Sequence, residues 1–354
     1  MGLVGRIGWR VLVSIGGVAL LAAATTGGFA ERNAGRGLPG EDSTSVSMLC
    51  LGDVNLGRFV GRVLLRGDTL YPWRYLQDTL RRYDIVFANL ESNLSDQHGV
   101  TEDPRSNTVF TGPPAGAASL REAGVTIVST ANNHALDFGR SAATQTCALL
   151  DAAGVLHAGS AEAPADVYRP VVFGVRGIRF ALIACTELMN GARNASWKRW
   201  IAAADTGKIF PEIRAVRDSV DVVIVSVHGG VEYDNRPSAE ILGFARNALV
   251  AGADVVLGHH PHVPYAVEAG DNGVLAPSLG NCVFKQPSRY WTQRSFALAL
   301  GFRKTADRSL DITVRCLPLR ADFQPRFLPR GMEYDSVMSR VGANCQREYL
   351  KRRS

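Results

Sequence analysis

The 354-residue sequence contains no closely spaced pair of cysteines, and this absence excludes zinc ribbons and CxxC redox sites. Its six cysteines are widely separated: Cys50, Cys147, Cys185, Cys282, Cys316 and Cys345. Cys50 and Cys185 fall within apolar segments, where cysteine usually behaves as a small hydrophobic residue. We therefore expect mostly free, buried thiols and one disulfide at most, whose pairing the sequence does not determine.

Interleaved lysine and aromatic residues, which are typical of nucleic-acid-binding surfaces, are also missing, so no nucleic acid is expected as a partner. The formal net charge is +6, but basic residues are concentrated at the two ends and the middle is close to neutral. We interpret this charge as a property of solvated ends, with weak steering of anions as the alternative. No internal repeat is evident either.

Residues 1–30 begin with two arginines, Arg6 and Arg10, followed by a long uncharged stretch. Such a segment is a signal peptide or a single membrane-spanning helix, and the positive-inside rule then places the rest of the chain outside the cytoplasm. No cysteine follows the stretch directly, which argues against a lipoprotein. The sequence predicts an exported, extracytoplasmic protein, either anchored by its N-terminal helix or secreted, with residues 31–45 as a flexible linker.

Strand-like and helix-like segments alternate from Val46 onward, and runs such as DVVIVSV and ADVVLG are apolar throughout. Such runs are typical of parallel strands that are buried on both faces. After residue 260 short strands replace the helices, which indicates antiparallel hairpins. This order predicts an α/β fold over residues 46–320, with two sheets packed face to face and helices outside, a four-layer αββα sandwich. Residues 321–354 are predicted to form a polar C-terminal tail.

Five of the apolar runs are followed directly by side chains that can bind metals. These are Asp53, Asn89 with Glu91, Asn132 to His134, His228, and His259 with His260 and His262. The carboxyl ends of strands in an open α/β sheet lie at one edge, where ligands bind. Carboxylate, amide and imidazole groups gathered there predict a divalent-metal site. The His260-Pro-His262 pair is the most specific, because a His-x-His spacing presents both imidazoles on one side of a strand end.

The number of candidate ligands is sufficient for two metal ions that share a bridging group. The predicted ligands are Asp53, Glu91, Asn133, His228, His260 and His262. His134 is predicted to act as general acid, because imidazole exchanges protons near neutral pH. Arg58 is predicted to hold a phosphate or carboxylate of the substrate. Asp137 is interpreted as the cap of the following helix, and a plain strand-end turn is the alternative role for the segment around Asp53.

Six segments, taken together, resemble the motifs of the CapA family in order and spacing. They are GDVNLGR, NLES, ANNHALDFG, HGGVEY, GADVVLGHHPHV and SLGNCVF, within residues 46–300. CapA proteins are bacterial proteins linked to the synthesis and export of poly-γ-glutamate capsules, with a calcineurin-like metallophosphoesterase fold. The resemblance implies a four-layer αββα sandwich, a dinuclear site for divalent ions such as Mn, Fe or Zn, and an exported or anchored protein. His134 stands where that superfamily has its catalytic histidine.

Two segments depart from the wider superfamily. Asn55 stands where an Asp-x-His motif would have its histidine, and Asn89-Leu-Glu91 replaces a second aspartate motif. The first change removes or weakens one ligand at the first metal position.

Two functions remain open from the sequence. The first is a metal-dependent hydrolase that acts on a phosphoester or on an amide of an anionic polymer. The second is a non-catalytic, anchored subunit of a capsule synthesis and export complex that binds the polymer. The ligand set and His134 favour the first, whereas Asn55 and the N-terminal segment favour the second. A secreted nucleotidase is a weaker alternative, because no base-stacking domain follows residue 320.

Overall fold

The computed structural model describes residues 45–191, 195–304 and 309–351. The predicted N-terminal segment 1–30 and, except for Ser45, the predicted linker 31–45 lie outside these ranges. Within the described ranges, no helix is both long and apolar enough to cross a membrane.

The described residues form strands from one end to the other, with helices concentrated in the first two thirds. The strands are β1 (Ser45–Val54), β2 (Ile85–Leu90), β3 (Asn93–Leu94), β4 (Thr111–Gly112), β5 (Ile127–Ser129), β6 (Leu156–Ala158), β7 (Val171–Val175), β8 (Ile178–Thr186), β9 (Val222–His228), β10 (Val255–His259), β11 (Glu268–Gly270), β12 (Gly273–Ala276), β13 (Asn281–Val283), β14 (Arg294–Lys304), β15 (Leu310–Arg320), β16 (Arg326–Phe327) and β17 (Gln346–Lys351). The helices are α1 (Arg58–Leu65), α2 (Gln77–Leu80), α3 (Ala115–Ala123), α4 (Gly139–Ala153), α5 (Thr206–Arg217), α6 (Ala239–Ala251) and α7 (Met332–Val341). Short 3₁₀ turns cover Tyr71–Trp73, Pro164–Asp166, Ala195–Arg199 and Trp291–Gln293.

Most of the strands belong to two mixed sheets. The large sheet has the order β16-β15-β14-β1-β2-β5-β6, with β13 paired to β1 and β17 paired to β15. The small sheet has the order β11-β12-β10-β9-β8-β7. Strands β1, β2, β5 and β6 run parallel, as do β8, β9, β10 and β12. The long β14–β15 pair is antiparallel, as the loss of helices after residue 260 predicts.

Three separate hydrophobic cores show how the sheets and helices are layered. The central core joins the inner faces of both sheets, for example Phe87 of β2 and Ile224 of β9. Val86, next to Phe87, belongs to the core beneath α1, α3 and α4, and Val223 belongs to the core beneath α5 and α6. Successive strand residues point to opposite faces, so each apolar run serves two cores. The predicted α/β fold, a four-layer αββα sandwich, is confirmed.

One segment crosses from the small sheet to the large sheet and fixes how their strand ends meet. Residues 277–280 connect β12 to β13 and pass between two strand glycines. The Leu279 amide donates to the carbonyl of Gly258 at 3.1 Å, and the Asp53 amide donates to the carbonyl of Gly280 at 3.0 Å. A Cβ atom at Gly258 would lie 1.9 Å from the Pro277 carbonyl oxygen, and one at Gly52 would lie 1.8 Å from that of Gly280. The crossing therefore requires glycine in both strands.

The described part of the predicted tail, up to Lys351, is integrated into the sandwich. Helix α7 buries Val337 and Val341 in the central core, and β17 pairs antiparallel with β15. The domain therefore continues to Lys351 and does not end at residue 320. One side of α7 is apolar, and this side packs into the central core. A disulfide joins Cys316 of β15 to Cys345. The other four cysteines are free and buried, as expected from the sequence.

We expect Gly258→Ala to lower the free energy of unfolding by about 3 kcal/mol or more, because the added methyl group overlaps the Pro277 carbonyl. Urea unfolding followed by circular dichroism measures the change. The matched control is Gly243→Ala in α6, where a Cβ atom meets nothing within 4 Å. It should be neutral or stabilise by up to about 1 kcal/mol. Similar stabilities of the two variants would contradict the close contact between Gly258 and the Pro277 carbonyl.

Candidate metal centre

The predicted metal ligands meet where strands of both sheets end. Asp53 of β1 lies opposite Asn89 of β2 in the large sheet, and His228 of β9 lies opposite His259 of β10 in the small sheet. The remaining residues follow directly: Glu91 after β2, Asn133 and His134 after β5, and His260 and His262 after β10. All of these side chains are buried. The structure thus brings together the six predicted ligands and His134.

Glu91 is at the centre of this cluster. Its Oε1 atom lies 3.6 Å from Nε2 of His228 and 3.9 Å from Nε2 of both His134 and His262. Two groups of three residues have ligand atoms within 4.8 Å of one another: Glu91, His228 and His260, and Asp53, Glu91 and His262. Both groups contain Glu91, so its carboxylate lies between two sets of metal donors.

The cluster leaves several buried polar atoms without a hydrogen-bond partner among the described residues. They include Oδ2 of Asp53, both carboxylate oxygens of Glu91 and Nδ1 of His260. Buried polar atoms are normally paired, and an unpaired buried carboxylate is costly unless a cation or a proton balances it. Oxygen and nitrogen donors of this kind suit divalent metal ions, so the residues fit such ions.

Neighbouring side chains orient the ligands by occupying the atoms that face away from the centre. Asn89 donates to Oδ1 of Asp53 at 2.8 Å, which leaves Oδ2 free. Nδ1 of His262 lies 2.8 Å from Oδ1 of Asn281, which leaves Nε2 directed at Glu91. Partners of this kind fix ligand orientation at metal sites. Asn281 stands in the SLGN segment, but the sequence carried no signal for this contact.

Asn133 belongs to the same side of the centre as His228. Its Oδ1 atom lies 2.8 Å from Nε2 of His228, and its side-chain amide donates to Oδ1 of Asn190 at 3.1 Å. The backbone amide of Asn190 in turn donates to the Asn133 carbonyl at 3.0 Å. These bonds hold the Asn133 oxygen toward the cluster.

His134 is positioned by Asp137 and Phe110. Oδ2 of Asp137 lies 2.8 Å from Nδ1 of His134 and accepts the backbone amide of Phe110 at 3.0 Å. The Phe110 ring stacks on the imidazole at a centroid distance of 4.2 Å. The interpretation of Asp137 as a helix cap is wrong, because α4 begins at Gly139 without a side-chain cap. With Nδ1 bonded to the carboxylate, Nε2 of His134 is the atom that faces the metal ligands.

His259 also belongs to the cluster, although the predicted ligand set does not include it. It is fully buried, its Nδ1 lies 3.4 Å from Oδ1 of Asp53, and neither ring nitrogen has a hydrogen-bond partner among the described residues. The sequence could have identified His259 through the strand period of two. Leu257 points into the space between the sheets, and His259, two residues later on the same strand, points to the same side.

Asn55, the departure from the Asp-x-His motif, is not directed at the ligands. Its Oδ1 atom accepts the backbone amide of Gly57 at 2.8 Å, a local turn at the start of α1. The group formed by Asp53, Glu91 and His262 therefore receives no ligand from this position.

Arg58 lies at the rim beside His134 and outside the ligand groups. Its guanidinium is 4.4 Å from the centroid of Phe110, the ring that stacks on His134, and it donates to the Asn107 carbonyl. Burial lowers the pKa of Arg58 from its ordinary value. The predicted substrate contact is therefore within reach of the centre, although its role as a binding residue stays a prediction.

Backbone strain is concentrated at this centre. Six residues other than glycine have positive φ angles within the described ranges, and four of them are at or next to the site: Arg58 (52°), Tyr233 (64°), His260 (97°) and His262 (60°). For bulky or ordinary side chains such angles are unfavourable, and they persist where surrounding contacts enforce them, often at functional sites. The ring of Tyr233 lies 5.9 Å from that of His262, and its amide donates to the Pro261 carbonyl at 2.9 Å.

The two carboxylates of the centre have opposite pKa shifts. Burial alone would raise the pKa of Asp53, but the imidazoles of His259 and His262, whose Nδ1 atoms lie 3.4 and 3.3 Å from its carboxylate oxygens, outweigh it and hold that pKa well below its usual range. Burial, reinforced by the charges of Asp53 and Glu232, raises the pKa of Glu91 well above its usual range. Two close carboxylates in one site separate in this way.

The imidazoles of His228 and His260 are held neutral. Burial and the neighbouring His260 lower the pKa of His228 well below its usual value. Burial, followed by the effect of His262, lowers the pKa of His260 to about 3. Both rings are therefore in the neutral form that binds metals, and the raised pKa of Glu91 favours a protonated carboxyl whose proton a cation would displace.

Comparison with known proteins relates this chain to bacterial capsule proteins. The chain is 29% identical over 259 residues to "Capsule biosynthesis protein CapA" of Bacillus anthracis, and the match covers 71% of this chain and 62% of that protein. It is 28% identical over 256 residues to "PGA biosynthesis protein CapA" of Bacillus subtilis, covering 72% of this chain and 66% of that one. The chain thus spans less than two thirds of the length of either relative.

A solved structure of a putative 5′-nucleotidase from Staphylococcus aureus superposes with a TM-score of 0.46 at 11% identity, covering 83% of this chain and 57% of that one. The family model described as "Bacterial capsule synthesis protein PGA_cap" matches residues 47–286, which include every predicted metal ligand. The resemblance to the CapA family is confirmed, and the chain belongs to the PGA_cap family of bacterial capsule synthesis proteins.

Proposed function

We propose that this chain is a metal-dependent hydrolase of poly-γ-glutamate capsule biosynthesis or export. The observation that carries the proposal is the buried Glu91 carboxylate, shared by two groups of metal donors and facing Nε2 of His134. The link to the capsule polymer rests on the names of the relatives. Accordingly, the substrate is an anionic polymer of that pathway or a phosphoester formed in it.

Two divalent ions, drawn from Mn, Fe or Zn, suit the mixed donor set. Asp53, Glu91 and His262 would hold the first ion, and Glu91, Asn133, His228 and His260 would hold the second. When bound, the ions supply positive charge that polarises the bond under attack and stabilises the negative charge of the transition state.

His134 provides the proton transfer. Asp137 holds Nδ1, and the stacked Phe110 fixes the plane of the ring, so Nε2 faces the donor cluster. An imidazole in this position can donate a proton to the leaving group as it departs. Arg58, whose guanidinium lies 4.4 Å from the centroid of the Phe110 ring, is placed to bind a carboxylate or phosphate of the substrate.

The reaction is proposed to occur outside the cytoplasm, with the chain anchored by residues 1–30 or secreted after their removal, as expected from the sequence. An anchored chain is suited to act beside other components of a capsule synthesis and export complex in the membrane.

A second candidate function is that of a non-catalytic subunit which binds the anionic polymer. The orientation of Asn55 favours it, because this side chain bonds to the amide of Gly57 and leaves one ligand fewer at the first metal position. A metal-loaded protein that binds the polymer without cleaving it would support this function.

The first test is the metal content of the full chain and of Glu91→Gln. Wild type should hold about two equivalents of metal after incubation with Mn, Fe or Zn, and the variant should lose at least one, because its amide lacks the shared negative charge. Elemental analysis after removal of free metal gives the stoichiometry.

Glu240→Gln, an exposed position at the start of α6, is the matched control and should retain the wild-type metal content. Full occupancy in a folded Glu91→Gln variant would contradict the shared position of Glu91.

Metal affinity should rise as the pH is raised from the ordinary glutamate range toward neutral, because burial raises the pKa of Glu91 and a cation must displace its proton. Each proton released changes the association constant by about tenfold per pH unit. Calorimetric titrations in buffers of different ionisation enthalpy measure the released protons. In Glu91→Gln this proton release should disappear, and an unchanged release would assign the proton to another group.

His134→Asn should lower the turnover number by about 10²–10⁴-fold while leaving the metal content unchanged, because the proton donor is lost and no ligand is removed. The assay follows the shortening of poly-γ-glutamate by size-exclusion chromatography, with a chromogenic phosphoester as second substrate. His98→Asn, in an exposed loop with a positive φ that asparagine tolerates, is the control. Turnover equal to wild type in His134→Asn would exclude the assigned proton donor.

A further inference from the structure

A cavity of about 240 Å³ lies next to the metal centre, outside the ligand groups. Its walls come from the start of α1, from the turn after β13 and from the segment after β15. The residues that matter here are Arg58, Phe59, Glu102, Phe284, Lys285 and Phe323. It is smaller than the roughly 300–1,000 Å³ typical of pockets for complete small ligands, so it suits one unit of a longer molecule.

Two aromatic rings separate the cavity from the histidines of the centre. Phe284 lines the cavity and lies 4.9 Å, between ring centroids, from His262. Phe110 contacts both sides of this boundary: its ring centroid lies 4.4 Å from the guanidinium of Arg58, which lines the cavity, and 4.2 Å from the imidazole of His134. The cavity is therefore one side-chain layer away from two residues of the centre.

The cavity has a positive charge that is incompletely balanced. Arg62 pairs with Glu102, and Lys285 pairs with Asp322 at 3.3 Å. Arg58 forms no ion pair with any described residue; its hydrogen bond goes to a neutral carbonyl, that of Asn107. A half-buried guanidinium without a carboxylate is suited to bind an anion from outside the chain, with several donors still available.

Three phenylalanines, Phe59, Phe284 and Phe323, also line the cavity and accommodate the methylene part of a ligand. Phe59 stacks on Phe323 at 4.7 Å, and the Lys285 ammonium lies 5.1 Å from the Phe323 ring. A cationic group next to apolar walls matches a flexible side group that ends in a carboxylate.

We propose that this cavity binds one carboxylate-bearing unit of the γ-linked glutamate polymer, next to the two units whose linking amide lies at the metal centre. The proposal rests on the proposed function, since it takes the polymer as the ligand. Affinity should therefore depend on the length of the oligomer. A hexamer reaches both the metal centre and the cavity and contacts Arg58 and Lys285, whereas a dimer contacts only the centre.

The test is isothermal titration of the metal-loaded full chain with the γ-linked glutamate dimer and hexamer. In wild type the hexamer should bind at least about tenfold more tightly than the dimer. Arg58→Met should weaken hexamer binding by about tenfold and dimer binding by a smaller factor, with the metal content unchanged, because methionine retains the packing on Phe110 without the charge.

Lys285→Met is a second variant, at an exposed position, and should reduce hexamer affinity by a smaller factor. Lys208→Met, an exposed lysine of α5 on the other side of the sandwich, is the matched control and should bind like wild type. Hexamer binding should also weaken as salt is added.

Each contrary outcome identifies what fails. If wild type prefers the hexamer but both variants match it, the cavity assignment is overturned and the proposed function stands. If Arg58→Met weakens dimer and hexamer equally, Arg58 acts at the centre and not in the cavity. If the metal-loaded wild type binds neither oligomer, the polymer is not the ligand, and both the cavity assignment and the polymer part of the proposed function are overturned.

Discussion

The Glu91 carboxylate is the constraint on which the rest of the site depends. It is fully buried between two sheets, and neither of its oxygens has a hydrogen-bond partner among the described residues. An isolated carboxylate in such surroundings costs several kcal/mol unless a cation or a proton balances it. Three imidazole Nε2 atoms lie within 3.6–3.9 Å of Oε1. The arrangement is unfavourable without a cation, and binding of a cation would explain why buried polar groups that packing alone disfavours are gathered here.

The convergence of these side chains follows from how the two sheets are connected. The segment 277–280 lies against Gly258 of the small sheet and Gly52 of the large sheet, and its Gly280 carbonyl accepts the amide of Asp53. The strand ends that carry Asp53 and His260 are therefore held at a fixed distance from each other by backbone contacts. Strained φ angles at His260 and His262 then turn the chain after β10, so that both imidazoles face the large sheet.

Much of the fold and of the cluster could be predicted because both follow from short-range rules. Runs such as Val222–Val227 can only be buried strands, and ligands at the ends of such strands must converge in an α/β sheet. The oriented partners were harder to predict. Asp137 reads as a helix cap by spacing, yet its bond to His134 depends on the path of a separate loop that brings Phe110 beside it. The contact between His262 and Asn281 likewise depends on β13 lying next to β1.

The contacts of the C-terminal region were likewise hard to predict from the sequence. Residues 321–351 are rich in polar side chains, and a composition-based prediction makes them a tail. In the structure only one face of α7 is apolar, and that face completes the central core through Val337 and Val341. Pairing of β17 with β15 and the bridge from Cys316 to Cys345 then hold the region in place. Local composition does not reveal these contacts, because each partner is supplied by a strand that comes earlier in the chain.

Phe110 shows how proton transfer and anion binding are joined by a residue that performs neither. One face of its ring meets the imidazole of His134, and the guanidinium of Arg58 lies over the ring at 4.4 Å. Its backbone amide donates to the same Asp137 oxygen that holds His134. The proton donor and the anion-binding group of the proposed mechanism therefore have a fixed separation that is set by one aromatic ring. A smaller side chain at this position would release both groups at once, so binding of the anion and proton transfer would fail together and not separately.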